Sequence, residues 1–265
     1  MIISGADITA WVGSYLWPMF RVGGLVMTAP VFGSKPIPVR IRLVLAIAIS
    51  LVIAPVVSPA VPRIDALSPD AILITIQQVL IGVMMGFSLQ LVVSAIITGG
   101  QTIALQMGLG FSLMVDPQNG TQAPVLSQFY ILMVLLVFLA LDGHLVLIEI
   151  LAESFRTIPI ATHGITPDSL WQLVNWGSQI FAGAVGMALP AIASLLVVNV
   201  AFGIMTRAAP QLNIFAIGFP ITMMLGFGVI LSTLPSVIPH SGELFNHTYH
   251  LMQQLIGIEA VPHGR

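Results

Sequence analysis

Charge is scarce in this sequence. Among 265 residues there are 8 Lys and Arg and 10 Asp and Glu, 7% in all, where a water-soluble domain carries about a quarter. So few charges cannot cover a water-facing surface. With 57% hydrophobic residues and a mean hydropathy of +1.02, the chain reads as an integral membrane or membrane-assembly protein. The net charge is −2 and the basic residues form no large patch, which argues against a nucleic-acid partner. Cysteine is absent, excluding disulfides and thiolate metal ligands. The opening "MIISGADITAW" has no basic stretch and carries Asp7, so a cleavable signal peptide is not expected. No internal repeat or low-complexity segment stands out.

What is abundant is apolar length. A bilayer-spanning helix needs about 20 mostly apolar residues, and six runs qualify as candidates: 10–33, 40–60, 71–98, 125–151, 171–203 and 212–239. Turn chemistry bounds most of them, as in "SKPIPVR", "SPAVPRIDALSP" and "TRAAPQLN". Barrel strands would be about 10 residues long with alternating polarity, so the expected class is all-α. Trp11, Tyr15, Trp17, Trp171 and Trp176 lie near run ends, where amphipathic rings favour the membrane interface. Lys35, Arg40 and Arg42 crowd the first connection and Arg207 lies in the fifth, whereas 142–170 is acid-rich. The positive-inside rule then places loop 34–42 in the cytoplasm and both termini outside.

Some residues disturb simple spans. Pro18, Pro190 and Pro220 fall inside runs, where each removes a helical hydrogen bond and is expected to kink its helix. Arg21 lies mid-run, where a charge needs a partner or a watery cavity. It reads either as an ion-pathway residue or as an anchor between helices or subunits. No acid in the neighbouring runs offers it a partner, so a carbonyl cluster or an acid on another subunit is expected. "GVMMG", Gly82 to Gly86, matches the close-packing pattern of membrane helices. After Gly242, Leu244, Thr248, Leu251, Met252, Leu255 and Ile256 follow helical spacing, which predicts an amphipathic tail helix over 242–258, suited to an interface or a partner surface.

Chemistry-bearing constellations are missing. There is no Gly-x-Ser-x-Gly elbow and no phosphate-binding glycine pattern, and neither an enzyme nor a cofactor is expected. His240, His247 and His250 lie close in sequence but have no carboxylate-rich shell, so no metal site is assigned. Runs two, three, five and six hold no buried acid, which counts against an ion-coupled transporter.

The feature that needs explaining is "GLGFSLMVDPQNGTQAPVLSQF", Gly108 to Phe129. It separates the charge-free stretch Ala71–Val115 from another, Val125–Leu141. From Thr102 to Leu113 polarity alternates, which suggests an extended or irregular strip with one apolar side, although the Leu, Met, Gln and Ala content also permits helix. "DPQNGTQAP" then supplies strong breakers. A connection from Gly99 to Pro124 is longer than helical connections usually are, and such loops are commonly functional. It reads either as a re-entrant space-filler or as a stopper lining a conduit, with Gly for close approach and Met and Phe for a deformable apolar seal.

These residues carry a resemblance. "LQMGLGFSLMVDPQNGTQAPVLSQF", "LDGHLVLIEILAESFRTIPI", "RAAPQLNIFAIGFP" and the early "FRVGGLVMTAPVFGSKPIPVRIRLVLA" together resemble the FliR/SctT export-gate family of type III secretion, in its flagellar form, over nearly the whole chain. The resemblance implies a single export-gate subunit over 1–265. Its parts would be a FliP-like portion over about 1–160, including a plug loop at 108–124, a FliQ-like hairpin over about 170–240, and the tail helix. It implies assembly with FliP and FliQ in the bacterial inner membrane at the flagellar basal body, with FlhB and FlhA nearby and unfolded flagellar subunits as cargo. Much of such a gate is raised from the bilayer plane, so the six runs need not be six crossings. By the same likeness Phe111, Leu113, Met114 and Val115 would be sealing residues, Gly108, Gly110 and Gly120 hinges, and Asp116 with Pro117 the turn. Arg21, Gly82, Gly86, Pro190 and Arg207 would serve assembly. The injectisome counterpart is the nearest alternative, and a small-solute channel or transporter is the competing class.

Overall fold

The computed structural model describes residues 5–33, 37–57, 64, 68–109, 125–208 and 214–258, the first eight of these and 214–217 and 219 by backbone only. Among the described residues every regular element is an α-helix, as the composition requires. In chain order they are α1 (Gly5–Thr28), α2 (Val39–Val57), α3 (Pro69–Gln106), α4 (Val125–Ala140), α5 (Gly143–Thr157), α6 (Pro167–Trp176), α7 (Ser178–Ala208) and α8 (Ile214–Leu255).

Among the described residues three stretches are long and apolar enough to cross a bilayer: Pro69–Gln106, Pro167–Ala208 and Pro220–Leu255, with α4 and α5 a fourth if taken as one broken span. This is fewer than the six runs read from the sequence. Run 125–151 is divided because Asp142 and Gly143 interrupt it. Asp142 adopts a left-handed conformation (φ 54°), which short polar side chains tolerate, and its carbonyl accepts from the N–H groups of Leu145 and Val146 to start α5. α6 begins as its sequence dictates. Thr166 is the N-cap, its hydroxyl accepts from the Ser169 N–H at 3.2 Å, and Pro167 follows, where a missing N–H costs nothing.

The prolines do not end their helices: Pro18, Pro55, Pro190, Pro220, Pro235 and Pro239 all lie within continuous α1, α2, α7 or α8. The tail is not a separate helix either. It is the last part of the 42-residue α8, because no breaker lies between Gly242 and Leu255. α8 stops at Gly257 (φ 77°), where the Gly257 and Ile258 N–H groups bond back to Gln254 and Gln253.

The chain divides into two compact units. One holds α1, α2, α3 as far as Leu91, α5, α6 and α8 from Phe245. Trp17, Leu25, Ile74, Ile81, Met85, Leu147, Leu151 and Phe155 are buried there. So is most of the predicted tail stripe: Thr248, Leu251, Met252, Leu255 and Ile256 are all buried. The apolar face expected to meet a membrane interface or a partner is covered by the chain itself.

The other unit holds α3 from Val92, α4, α7 and α8 to Leu244. In α4 a single stripe is buried, Leu126, Ser127, Tyr130, Val134 and Phe138, while Leu132 and Leu136 on its other faces are exposed. Beyond Leu195 no residue of α7 is buried. Leu196, Val197, Val200, Ile204 and Met205 of α7 and Met224, Phe227 and Leu231 of α8 are exposed. Surfaces of this kind mark contact with lipid or other proteins.

Candidate functional site

Two arrangements stand out, one in each unit. The first is the pair of roots from which the segment 110–124 departs. α3 continues to Gln106, so Thr102–Gln106 is helical rather than an extended strip. Ile103, Ala104 and Met107 are buried while Leu105 is exposed, which is a helical face. The alternation in residue type coincides with strong helix formers, and helix wins. The helix then ends in a Schellman motif. The Gly108 N–H bonds to the Leu105 carbonyl and the Leu109 N–H to the Ala104 carbonyl, both at 3.0 Å, with Gly108 at φ 81°. Glycine has no Cβ to clash in this conformation. Gly108 therefore stops the helix.

Both roots are tied down within this unit. Met107 is fully buried and lies against Gly226 of α8, where a Cβ would come within 2.6 Å of Met107 Cε and 2.7 Å of its Cγ. On the return side, the Ser127 hydroxyl donates to the Ile97 carbonyl at 3.2 Å. α4 can approach α3 here because of Gly100, whose added Cβ would lie 3.1 Å from Ser127 Cα and from the Tyr130 ring. Its neighbour Gly99 does the same for α7, facing the Ala184 carbonyl at 3.1 Å. Tyr130 is fully buried, and among the described residues its hydroxyl has no hydrogen-bond partner. Gly99, Gly100 and Gly226 were not legible as packing residues, because glycine is frequent in apolar helices and only the neighbour's backbone gives it meaning. Of the residues named for the loop, Gly110, Phe111, Leu113, Met114, Val115, Asp116, Pro117 and Gly120 lie outside the described residues.

The second arrangement surrounds Arg21, which is fully buried. Its Nε donates to Gln78 Oε1 at 2.8 Å. One terminal nitrogen donates to the Ser154 carbonyl at 2.7 Å and to its hydroxyl oxygen at 3.0 Å. The other donates to the Ile158 carbonyl at 2.8 Å. The guanidinium also lies 4.1 Å from the centre of the Phe155 ring, a cation–π contact. None of these acceptors is a carboxylate. Ser154 and Ile158 belong to the last turn and C-cap of α5, the end of the helix where its carbonyls carry the negative end of the dipole. Of the two partners expected for Arg21, the structure supplies the carbonyl cluster, within the chain. Gln77 adds a bond from α3, accepting from the Ile165 N–H at 3.2 Å.

The same α1–α3 contact uses Gly82 and Gly86. A Cβ on Gly82 would overlap the Arg21 carbonyl, and one on Gly86 the Thr28 hydroxyl. Gly24 on α1 faces the Val79 carbonyl at 2.8 Å from its own added Cβ. The Gly-x-x-x-Gly pattern is a helix contact inside one chain.

The remaining named residues are scattered. Pro190 leaves the Gly186 carbonyl without its helical donor; nearby, His240 Nε2 is 3.3 Å from the Gly183 carbonyl. Arg207 is exposed in the last turn of α7, where a cation suits the dipole. Among the described residues no three His, Asp or Glu side chains cluster as metal ligands would.

Comparison with known proteins gives a consistent picture. The sequence matches the family described as bacterial export proteins, family 1, over residues 12–248. It is 38% identical over 247 residues to the flagellar biosynthetic protein FliR of Escherichia coli (strain K12), covering 93% of this chain and 94% of that protein. To the protein of that name from Pectobacterium carotovorum subsp. carotovorum it is 38% identical over 250 residues, 94% and 95% of the two chains. The Bacillus subtilis (strain 168) protein is 26% identical over 252 residues, 94% and 96%.

Proposed function

The chain belongs to the bacterial export proteins, family 1, and on that premise we propose that it is a core subunit of the flagellar type III protein export gate. In this reading it joins FliP and FliQ, with FlhA and FlhB as neighbours, in the inner membrane at the basal body. Together they form the channel through which unfolded flagellar subunits leave the cell. The observation that carries the reading is the likeness to flagellar relatives over more than nine-tenths of both chains. The bare apolar hairpin of α7 and α8 supports it, since those exposed side chains require lipid or partner proteins.

The segment 108–124 acts in this proposal as a seal of the channel, with Phe111, Leu113, Met114 and Val115 closing it. Its roots support such a role: Met107 against Gly226 and Ser127 against Ile97 hold both ends of it. Arg21, with Gly82 and Gly86, holds the α1–α3–α5 contacts that assembly depends on. No catalytic chemistry is assigned.

Co-expression tests the reading. The chain produced with FliP and FliQ should purify as one discrete hetero-oligomer, and without them it should aggregate or be degraded. A stable homo-oligomeric pore formed by the chain alone would overturn the proposal in favour of a small-solute channel.

A further inference from the structure

α7 and α8 meet through glycines at one end of their pairing. A Cβ on Gly183 would come within 3.1 Å of Leu244 Cδ2 and 3.3 Å of Ala95 Cβ, and one on Gly186 within 2.9 Å of His240 Cε1. His240 Nε2 donates to the Gly183 carbonyl at 3.3 Å. In the same stretch Gly99 of α3 receives the Ala184 backbone. This end is fixed by backbone-close packing and by a hydrogen bond between helices.

The pairing is antiparallel, since Gly183 meets Leu244 while Gly186, further along α7, meets the earlier His240 of α8. One turn on from Gly186 is Pro190, and one turn back from His240 is Ser236, between Pro235 and Pro239. The prolines of the two helices therefore stand at one level. Each removes a main-chain bond, so the Gly186, Leu231 and Pro235 carbonyls lose their helical donors. In α8 the two losses follow one exposed edge, Leu231, Pro235 and Pro239. The local hydroxyls do not replace them. Each has a single proton, and Ser232, Thr233 and Ser236 donate theirs to the carbonyls of Val229, Ile230 and Thr233. Such back-bonds often bend helices.

Beyond that level the hairpin is held more loosely. α7 past Leu195 has no buried residue. α8 meets α3 at Gly226 through Met107, an unbranched side chain with three rotatable bonds that adapts to irregular gaps.

Helices bend at prolines, and a hinge needs only a few residues between two rigid parts. We propose that Pro190, Pro235 and Pro239 form one hinge across both helices. The end holding Gly183, Gly186, His240 and Leu244 stays docked on α3, while the end holding Val200 and Gly226 tilts and draws Gly226 off Met107. The inference concerns this unit alone and holds whichever partners the chain has.

The chain has no cysteine, so introduced pairs can carry spin labels at chosen positions. One pair joins Leu136 of α4 to Val200 of α7, the other Leu136 to Phe181; all three side chains are exposed. Pulsed paramagnetic resonance on the full chain in lipid nanodiscs, with the partners it purifies with, reads both distance distributions. The expected result is a broad distribution to Val200 and a narrow one to Phe181. Pro190→Ala, Pro235→Ala and Pro239→Ala together restore the three bonds and should bring the Val200 width down to that of Phe181. His240→Leu should broaden the Phe181 distribution instead. A native width to Val200 no greater than that to Phe181 overturns the hinge before any proline is replaced, and so does a Val200 width that survives the replacements. A Phe181 width unchanged by His240→Leu overturns the role given to His240.

Discussion

Replacing Arg21 separates geometry from charge. In the native chain one guanidinium serves Gln78 Oε1, the Ser154 carbonyl and hydroxyl, and the Ile158 carbonyl. The Ser154 carbonyl also accepts from the Ile158 N–H at 3.0 Å, so it is not orphaned when Arg21 is lost. Gln78 Oε1 and the Ile158 carbonyl lose their donor, at about 1–3 kcal/mol each. Arg21→Ala also opens a cavity beside Phe155, while relieving the burial of a charge, which itself costs several kcal/mol. The net expectation is a loss of roughly 2–4 kcal/mol, a large share of the 5–15 kcal/mol that holds an ordinary domain together. Arg21→Met strands the same acceptors without the cavity and should be milder. Arg21→Lys keeps the charge but replaces the planar fork by a compact, strongly hydrated ammonium, and should be at least as damaging as Ala. The amount of membrane-inserted chain and of intact complex should therefore fall in the order native, Met, then Ala and Lys together, measured by quantitative blotting and size separation. Full rescue by Lys would refute the reasoning, because charge would then matter more than the fork. A normal yield of complex from Arg21→Ala with secretion abolished would place Arg21 in the conduit.

Other substitutions test the remaining contacts. Gly82→Val should abolish accumulation of the chain, since its Cβ overlaps the Arg21 carbonyl, whereas Gly203→Ala, with open space around it in the chain, should keep or slightly raise thermal stability; equal behaviour of the two would contradict the α1–α3 contact. Gly108→Ala should destabilise the end of α3 by about 1–2 kcal/mol through its left-handed backbone, read as faster amide exchange at Met107 and Leu109 with the rest of α3 unchanged. Replacing the exposed His247 and His250 together by Ala should leave motility intact, and a defect cured by added zinc would reinstate a metal site. Deleting Phe111–Val115 should give an intact complex whose cells leak ions; an unstable complex without leak would show that the segment fills space instead of sealing.

The helical class was legible because charge-free stretches of this length leave the backbone no other way to satisfy its polar groups in an apolar surrounding. Helix boundaries were legible where the signal was local, as at Thr166–Pro167. Faces were harder to read. In α3 nearly every position is apolar, so no periodicity separates Ile74, Ile81 and Met85, which are buried, from Ile72, Leu73 and Ile76, which are exposed. In the end of α8, polar residues alternate with apolar ones at helical spacing, and the stripe was read correctly as a face while its neighbour was not. The alternation that begins at Thr102 misled as far as Gln106 for a related reason: there its period of two was carried by Leu, Gln and Ala, which prefer helix. Arg21 announced itself as an anomaly, but its acceptors lie 57, 133 and 137 residues further along, and two of them are main-chain carbonyls that any sequence possesses.

The uneven burial also bears on how stability is defined for this chain. Unit one hides its amphipathic tail and satisfies the buried Arg21 internally, so its α1–α3–α5 contacts do not depend on a neighbour. The α7–α8 hairpin is different. Its helices hold aliphatic side chains that the chain leaves open, and α7 beyond Leu195 buries nothing. Each large aliphatic side chain moved from water into an apolar environment contributes roughly 1.5–3 kcal/mol, so whatever covers the hairpin contributes as much as many internal contacts. A partner that binds only the folded chain shifts its apparent stability with partner concentration. Substitutions in the Arg21 cluster should then lower chain levels whether or not partners are supplied. Substitutions on the outer face of α7, such as Val197→Asp, should matter only when a complex can form, and that difference separates a folding contact from an assembly contact.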